Sequence, residues 1–99
     1  MTTNSELQPR RDAAIARGIS NKLPLFVARA ENAELWDVEG RRYIDFAGGI
    51  AVLNTGHVHP RVKAAVAAQL EAFSHTCFMV TPYAVALDPA EKLNRPIPG

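Results

Sequence analysis

The stretch "AELWDVEGRRYIDF", residues 33 to 46, has the residue pattern of a β-hairpin. Leu35-Trp36 and Tyr43-Ile44 supply apolar and aromatic strand residues on either side of Asp37-Val38-Glu39-Gly40, and Gly40 permits positive φ in the turn. A two-stranded hairpin is only marginally stable in water. We therefore expect another layer of protein to cover it.

Helical patterns lie on both sides of the hairpin. Residues 5 to 17 predict a helix that is capped by Ser5 and stopped by Gly18. Residues 60 to 73 predict a second helix that begins at Pro60. Its apolar residues are spaced by four, four and three, which gives one stripe formed by Val62, Val66, Leu70 and Phe73.

The other segments predict connectors and one short helix. Residues 23 to 27 contain Pro24, which has no N–H for a strand ladder, so we expect an extended connector there. Residues 74 to 82 predict an apolar connector. A last helix is expected, with Asp88 as N-cap, Pro89 as first residue, Glu91 as reciprocal cap, and Pro96 and Pro98 at its end. This order predicts an α+β fold without a complete sheet.

Composition bounds the class of protein. Ninety-nine residues make one small domain or a piece of a larger one, and 47% hydrophobic with 21% charged residues is a globular composition. A net charge of +1 with interspersed signs disfavours nucleic-acid and anionic-membrane partners. The single cysteine, Cys77, excludes an internal disulfide framework, and the N-terminus lacks the apolar region of a secretory signal. We expect a cytoplasmic location.

Two pairs of side chains have a spacing that a metal could use. His57 and His59 are two residues apart, as are His75 and Cys77, so a zinc site with three histidines and one cysteine is conceivable. Structural zinc motifs usually have tighter loops between their ligands. We therefore favour turn and packing roles for these four residues and expect no metal.

Two further residues are candidate nucleophiles. Cys77 lies beside Phe78 and Met79, and such apolar neighbours favour a packed, unreactive thiol over a Cys–His pair with His75. Lys63 could form a Schiff base, but its position on an amphipathic helix predicts a solvent-facing side chain. The residues alone assign no catalytic group.

The stretch "DFAGGIAVLNTGHVHP", residues 45 to 60, is too rich in glycine for a core strand and too apolar for an ordinary loop. Gly48-Gly49 does not match a dinucleotide-binding fingerprint. The pair indicates a close approach of the backbone to a ligand or to another chain. Ile50 would then lie at that approach, or it would belong to the core; the residues leave both open.

The sequence "RAENAELWDVEGRRYIDFAGGIAVLNTGHVHPRVKAAVAAQLEAFSHTCF", residues 29 to 78, closely resembles the N-terminal segment of class III aminotransferases, and within them the 4-aminobutyrate branch. The acetylornithine branch tends to have Asn at the position of Leu53, and the ornithine branch a tyrosine near Ile50. The resemblance implies the small domain of a fold type I transferase, with residues 1–82 in that domain and 83–99 at the start of the large domain.

The resemblance also implies roles for individual residues. The position of Ile50 contacts the substrate's carbon chain, with Gly48, Gly49 and Cys77 lining the same pocket near a dimer interface. Met79 stands where some relatives have Gln near the cofactor. These roles are expectations carried over from the family.

The implied activity is transfer of an amino group from an ω-amino acid, 4-aminobutyrate or 5-aminovalerate, to a 2-oxo acid such as 2-oxoglutarate. The implied cofactor is pyridoxal 5'-phosphate, and the implied assembly is a homodimer or higher homo-oligomer. The phosphate-binding Gly-Ser turn, the substrate-carboxylate Arg and the catalytic Lys are expected beyond Gly99.

We therefore expect the chain alone to be inactive, whether it is a truncated gene, a partial sequence or a pseudogene product. From Ala84 onward the family pattern loosens, with prolines at Pro89 and Pro96. The alternative is a small non-catalytic α+β interaction module that reuses this segment.

Overall fold

The computed structural model describes residues 1–97, and the chain divides into two compact units, Met1–Ala64 and Ala65–Gly99. The first unit contains α1 (Asn4–Ala14), β1 (Val27–Glu31), β2 (Glu34–Asp37), β3 (Arg42–Ile44) and the single helical turn α2 (Gly48–Ala51). Helix α3 (Pro60–Ala72) begins in the first unit and ends in the second. The second unit also contains a 3₁₀ turn (Ala84–Ala86) and α4 (Leu87–Asn94). The predicted α+β class is confirmed.

The hairpin forms as the sequence predicts. Strands β2 and β3 pair antiparallel with Leu35 opposite Tyr43. Gly40 adopts a φ of 79° in the connecting turn, and its N–H donates to the carbonyl of Asp37 at 3.0 Å. Glycine tolerates this left-handed conformation without the steric cost that a Cβ would bring.

The prediction of a connector at residues 23 to 27 is wrong at its end, because strand β1 begins at Val27. β1 pairs antiparallel with β2, so the sheet has three strands in the order β1-β2-β3. Pro24 precedes the strand, and its missing N–H therefore interrupts no ladder bond. The guanidinium of Arg29 lies 3.5 Å from the ring centre of Trp36, a cation–π contact across the two strands.

The predicted limits of the first helix are also wrong. Thr3, not Ser5, caps α1: its hydroxyl accepts from the N–H of Glu6 at 3.2 Å, and the Glu6 carboxylate accepts from the N–H of Thr3 at 2.8 Å. This reciprocal pair places the helix start one residue earlier than predicted. The helix ends at Ala14, because Ile15 is extended, and Gly18 plays no part.

The two later helices differ in how well the sequence predicts them. Helix α3 matches the predicted span to within one residue. Helix α4 begins at Leu87, and the prediction of Asp88 as its N-cap is wrong. The preceding 3₁₀ turn leads directly into α4 with Ala86 already in helical conformation, so no side chain caps this helix. Pro98 lies outside the described residues.

A polar network lies at the centre of the first unit. Asp37 is the one buried residue among those described, at 2% exposure. Its carboxylate accepts from the N–H groups of Glu39 and Arg41, from the Asn4 amide and from the Tyr43 hydroxyl. Burial acts to raise the pKa of Asp37, but these hydrogen bonds together outweigh burial and lower the pKa below its ordinary value.

Apolar side chains remain uncovered. None is buried in residues 1–97, and the predicted stripe on α3 is exposed, with Val62 at 51%, Val66 at 53% and Leu70 at 64%. No helix in the described part of the chain is long and apolar enough to span a membrane.

Candidate functional site

The α2 turn has left-handed backbone throughout. Gly48, Gly49, Ile50 and Ala51 have φ values of 52°, 65°, 64° and 60°. Hydrogen bonds close the turn, from the N–H of Ile50 to the carbonyl of Ala47 at 2.8 Å and from the N–H of Val52 to the carbonyl of Gly48 at 2.9 Å. The glycine-rich pattern of residues 45 to 60 did not predict this turn.

Two of the four residues are unfavourable in this conformation. Left-handed backbone costs an L-residue about 1–2 kcal/mol, and a β-branched side chain such as that of Ile50 is a marked outlier. Ile50 is also 89% exposed, so within the first unit no packing offsets the cost. Strained, exposed backbone of this kind tends to be found at ligand sites.

The glycine pair is needed for conformation and not for space. A Cβ on Gly48 would meet nothing within 4 Å, and one on Gly49 would lie 3.5 Å from Val52, an ordinary contact. Among the described residues, it is therefore the positive φ that favours glycine at these two positions. Any close approach by a ligand remains a prediction.

Asp45 caps the beginning of the turn. Its Oδ1 accepts from the N–H of Gly48 at 2.9 Å and from the N–H of Ala47 at 3.1 Å. Its Oδ2 lies 2.6 Å from Nε2 of His57. The hydrogen bond from His57, followed by the bond from the Gly48 N–H, lowers the pKa of the Asp45 carboxyl below its ordinary value.

The backbone of His57 is hydrogen-bonded to the turn between β1 and β2. His57 and Asn32 exchange two backbone hydrogen bonds, at 2.8 and 2.9 Å, in an isolated antiparallel bridge. Gly56 allows this approach: a Cβ there would lie 2.7 Å from Oδ1 and 2.9 Å from Cα of Asn32. At Gly56, therefore, the backbone lies too close to Asn32 to leave room for a Cβ.

Cys77, which was predicted to line the pocket, and Met79, which was predicted to lie near the cofactor, belong to the second unit. Cys77 is a partly exposed free thiol with a φ of 55°, and its carbonyl accepts from the N–H groups of Val80 and Thr81. Met79 lies in this turn and is 89% exposed. Their roles beside a cofactor or substrate stay predictions.

Two of the four candidate metal ligands, His57 and His59, have other hydrogen-bond partners. No group of three or more His, Cys, Asp or Glu side chains within residues 1–97 could hold a metal ion. His57 binds Asp45, and Nδ1 of His59 accepts from the N–H of Arg61 at 3.2 Å. The zinc hypothesis thus gains no geometric support from these residues.

The family of the chain follows from comparison with known proteins. The family model for class III aminotransferases matches residues 14–99. The chain belongs to the class III aminotransferase family. The predicted resemblance is confirmed, and so is the predicted fold as a part of such an enzyme.

The curated relatives of the chain include 4-aminobutyrate and 5-aminovalerate aminotransferases. It is 58% identical over 99 residues to the 4-aminobutyrate aminotransferase of Escherichia coli, covering 100% of this chain and 23% of that protein. It is 56% identical over 97 residues to the 5-aminovalerate aminotransferase of Pseudomonas aeruginosa, covering 98% of this chain and 23% of that protein. The chain therefore spans about a quarter of the length of these relatives.

A solved structure has the same fold over the matched part. The chain superimposes on an omega-transaminase from Sphaerobacter thermophilus with a TM-score of 0.84, over 98% of this chain and 23% of that one. The sequence identity is 23%, so this likeness concerns the fold alone.

Sequence reasoning missed the residues that shape the α2 turn. Asp45 and Asn32 carried no functional prediction, and His57 was predicted to be either a metal ligand or, preferably, a turn and packing residue. The available signal was an Asx residue three positions before a glycine pair, a pattern in which the carboxylate can accept from the following N–H groups.

Proposed function

We propose that the chain forms one wall of the substrate site in a class III aminotransferase that acts on an ω-amino acid. The α2 turn carries this proposal, because it presents the exposed side chain of Ile50 on a strained but hydrogen-bonded backbone. Relatives named for 4-aminobutyrate and 5-aminovalerate support the substrate class. We propose 4-aminobutyrate as donor and a 2-oxo acid such as 2-oxoglutarate as acceptor.

Ile50 suits the middle of such a substrate. An ω-amino acid has charged ends joined by methylene groups, and an aliphatic side chain can contact only the methylenes favourably. Gly48 and Gly49 carry no side chain, so nothing beside Ile50 obstructs the approach. Removing an apolar contact of this size costs about 1–3 kcal/mol of transition-state binding.

We propose that none of the lysines described by the structure forms the Schiff base with pyridoxal phosphate. The lysines in residues 1–97, Lys22, Lys63 and Lys92, are all exposed. The family supports pyridoxal phosphate as the cofactor, which supplies the electron sink that amino-group transfer needs. We propose that other residues bind it, while Met79, through its polarisable thioether, and Cys77 only border it.

The assembly and location are part of the same proposal. We propose a homodimer or higher homo-oligomer in the cytoplasm, in keeping with the expectation from the resemblance. Small-molecule donor and acceptor are the partners that this function requires.

The test uses a full-length fusion enzyme. This chain is joined in frame to the part of the Escherichia coli relative that follows the matched segment. Ile50→Ala should lower kcat/KM for 4-aminobutyrate by about ten- to two-hundred-fold, because it removes methylene contacts with the substrate. Melting temperature and cofactor absorbance are measured on the same samples and should change little.

Val58→Ala is the matched control. Val58 is also β-branched, has a φ of 52° and is 57% exposed, but it lies outside the α2 turn. We expect its kcat/KM to equal that of the parent. If Ile50→Ala lowered the melting temperature and left kcat/KM unchanged, Ile50 would be a core residue and the proposal would fail.

A further inference from the structure

We propose that Asp45 is a positioning residue, oriented by His57, that fixes the backbone of the α2 turn and so places Ile50 against the substrate. This inference rests on the proposed function, because it assigns how the substrate-facing turn is held. Asp45 itself is not required to touch substrate or cofactor.

The first observation is that both carboxylate oxygens of Asp45 are used, and in different directions. Oδ1 accepts from the N–H groups of Ala47 and Gly48, where the left-handed backbone begins. Oδ2 binds His57. Asp45 is 9% exposed and His57 22%, so this pair is largely shielded from water. A carboxylate bonded on both sides has little freedom to turn away from the Gly48 N–H.

The second observation is that the same pair closes the loop that contains the turn. The N–H of Asp45 donates to the carbonyl of Ala33 at 2.8 Å, and His57 is paired with the adjacent residue, Asn32. Both ends of residues 46–56 are therefore fixed to neighbouring residues of the turn between β1 and β2. The Asp45–His57 hydrogen bond joins these two ends through their side chains.

The third observation is that the turn needs such support. A glycine pair can adopt many backbone conformations, while Ile50 and Ala51 individually disfavour the one observed. Capping hydrogen bonds that the N–H groups of Ala47 and Gly48 donate to one carboxylate select a single arrangement at Gly48, the first residue of the turn. Preorganisation of this kind matters for rate, because a displacement of about 1 Å at a site can cost roughly a hundredfold.

Glu34 offers a matched control. It is a carboxylate on the neighbouring strand β2, and it binds Arg42 across the hairpin without contacting the α2 turn. Both Asp45 and Glu34 have a lowered pKa, through hydrogen bonds from His57 and from Arg42 respectively. Glu34→Ala therefore removes a comparable charge and hydrogen bond from the same sheet.

The experiment compares variants of the full-length fusion holoenzyme. Asp45→Ala should lower kcat/KM for 4-aminobutyrate by roughly ten- to a hundredfold. Asp45→Asn should recover most of this loss, because its amide oxygen still accepts from the Gly48 N–H. Glu34→Ala should leave kcat/KM unchanged. In an Ile50→Ala background, Asp45→Ala should cause little further loss, because the two residues act through one turn.

The outcomes separate this inference from the proposed function. If Ile50→Ala has no effect on kcat/KM, the proposed function fails. If Ile50→Ala lowers kcat/KM while Asp45→Ala lowers only the melting temperature, the inference alone is overturned. Full additivity of the two substitutions would also overturn it.

A second variant keeps the inference testable if Asp45→Ala does not fold. His57→Ala leaves the Oδ1 bonds in place and removes only the partner that orients the carboxylate. It should lower kcat/KM by less than tenfold but measurably, and His57→Gln, which restores a donor, should recover activity. Equal kcat/KM for His57→Ala and the parent would overturn the role of His57.

Discussion

Ile50 and Val58 are β-branched residues in the left-handed region, with φ values of 64° and 52°. Such backbone is unfavourable for both, yet only Ile50 belongs to the hydrogen-bonded turn that we assign to the substrate. The pair therefore allows the cost of conformation to be separated from the benefit of function. Replacement by glycine removes the conformational cost at either site, but it removes a proposed substrate contact only at Ile50.

Ile50→Gly should not destabilise the loop of residues 45–57. Relief of about 1–2 kcal/mol of backbone strain is offset in part by the greater freedom of glycine in the unfolded chain, which costs about 0.5–1 kcal/mol. We expect the free energy of local opening to stay equal or to rise by up to about 1.5 kcal/mol. Hydrogen exchange of the fusion enzyme measures it.

Val58→Gly should show the same change in opening free energy, and only Ile50→Gly should lower kcat/KM. A buried core residue would behave differently, since deleting its side chain costs several kcal/mol. A loss of about 2 kcal/mol or more in opening free energy at Ile50→Gly would contradict the assignment.

The sequence predicts the conformation of single residues less well than it predicts helices and strands. Gly40 was expected in left-handed backbone from its place between two strands, because a hairpin turn imposes that need locally. The need for Gly56 arises from Asn32, which is distant in sequence, and no local pattern reveals it. The conformation of Ile50 is equally hidden, because its own preference opposes it.

At the scale of elements, the side chain of Asn4 supplies the hydrogen bonds that hold α1 against the sheet. Its amide nitrogen donates to Asp37 at 2.9 Å and to Glu39 at 2.6 Å, and its oxygen accepts from the N–H of Phe26 at 2.7 Å. These bonds connect the first turn of the helix to one end of the β1–β2 pairing, where Val27 lies opposite Asp37. The helix has no buried apolar residue that could replace them.

Asn4→Ala should loosen α1 from the sheet. The Phe26 N–H and one Asp37 oxygen lose a partner, and such a loss costs about 1–3 kcal/mol. Hydrogen exchange of peptides covering α1 should report a fall of that size in the opening free energy. Ser5→Ala is the control, because the Ser5 hydroxyl contacts only Thr3, and it should change the value by less than about 0.5 kcal/mol. Equal effects of the two substitutions would contradict the role of Asn4.

The elements themselves were largely predictable where the pattern is local. The hairpin and α3 follow from turn chemistry and from alanine-rich helical spacing. Strand β1 was missed although its partner β2 begins only three residues after it ends, because Pro24, which has no N–H for a strand ladder, precedes it closely. The start of α1 was missed because Ser5 and Thr3 are both good caps, and only the reciprocal bond with Glu6 decides between them.

At the scale of the whole molecule, the described residues bury polar groups better than apolar ones. The buried residue is Asp37, while Phe46 is 95% exposed and Met79 89%. Apolar surface of this extent is typical of a face that packs against further protein. Membership of a family whose curated relatives are about four times longer accounts for such a surface.

The activity of the fusion enzyme tests the central claim most directly. If residues 1–99 form the N-terminal part of the substrate site, the fusion enzyme should transaminate 4-aminobutyrate with a kcat/KM within roughly tenfold of the Escherichia coli enzyme, a difference of about 1.4 kcal/mol in transition-state stabilisation. The same protein without the N-terminal segment should be inactive. A fusion enzyme that folds and binds pyridoxal phosphate but transfers no amino group would contradict the account and favour a non-catalytic interaction module.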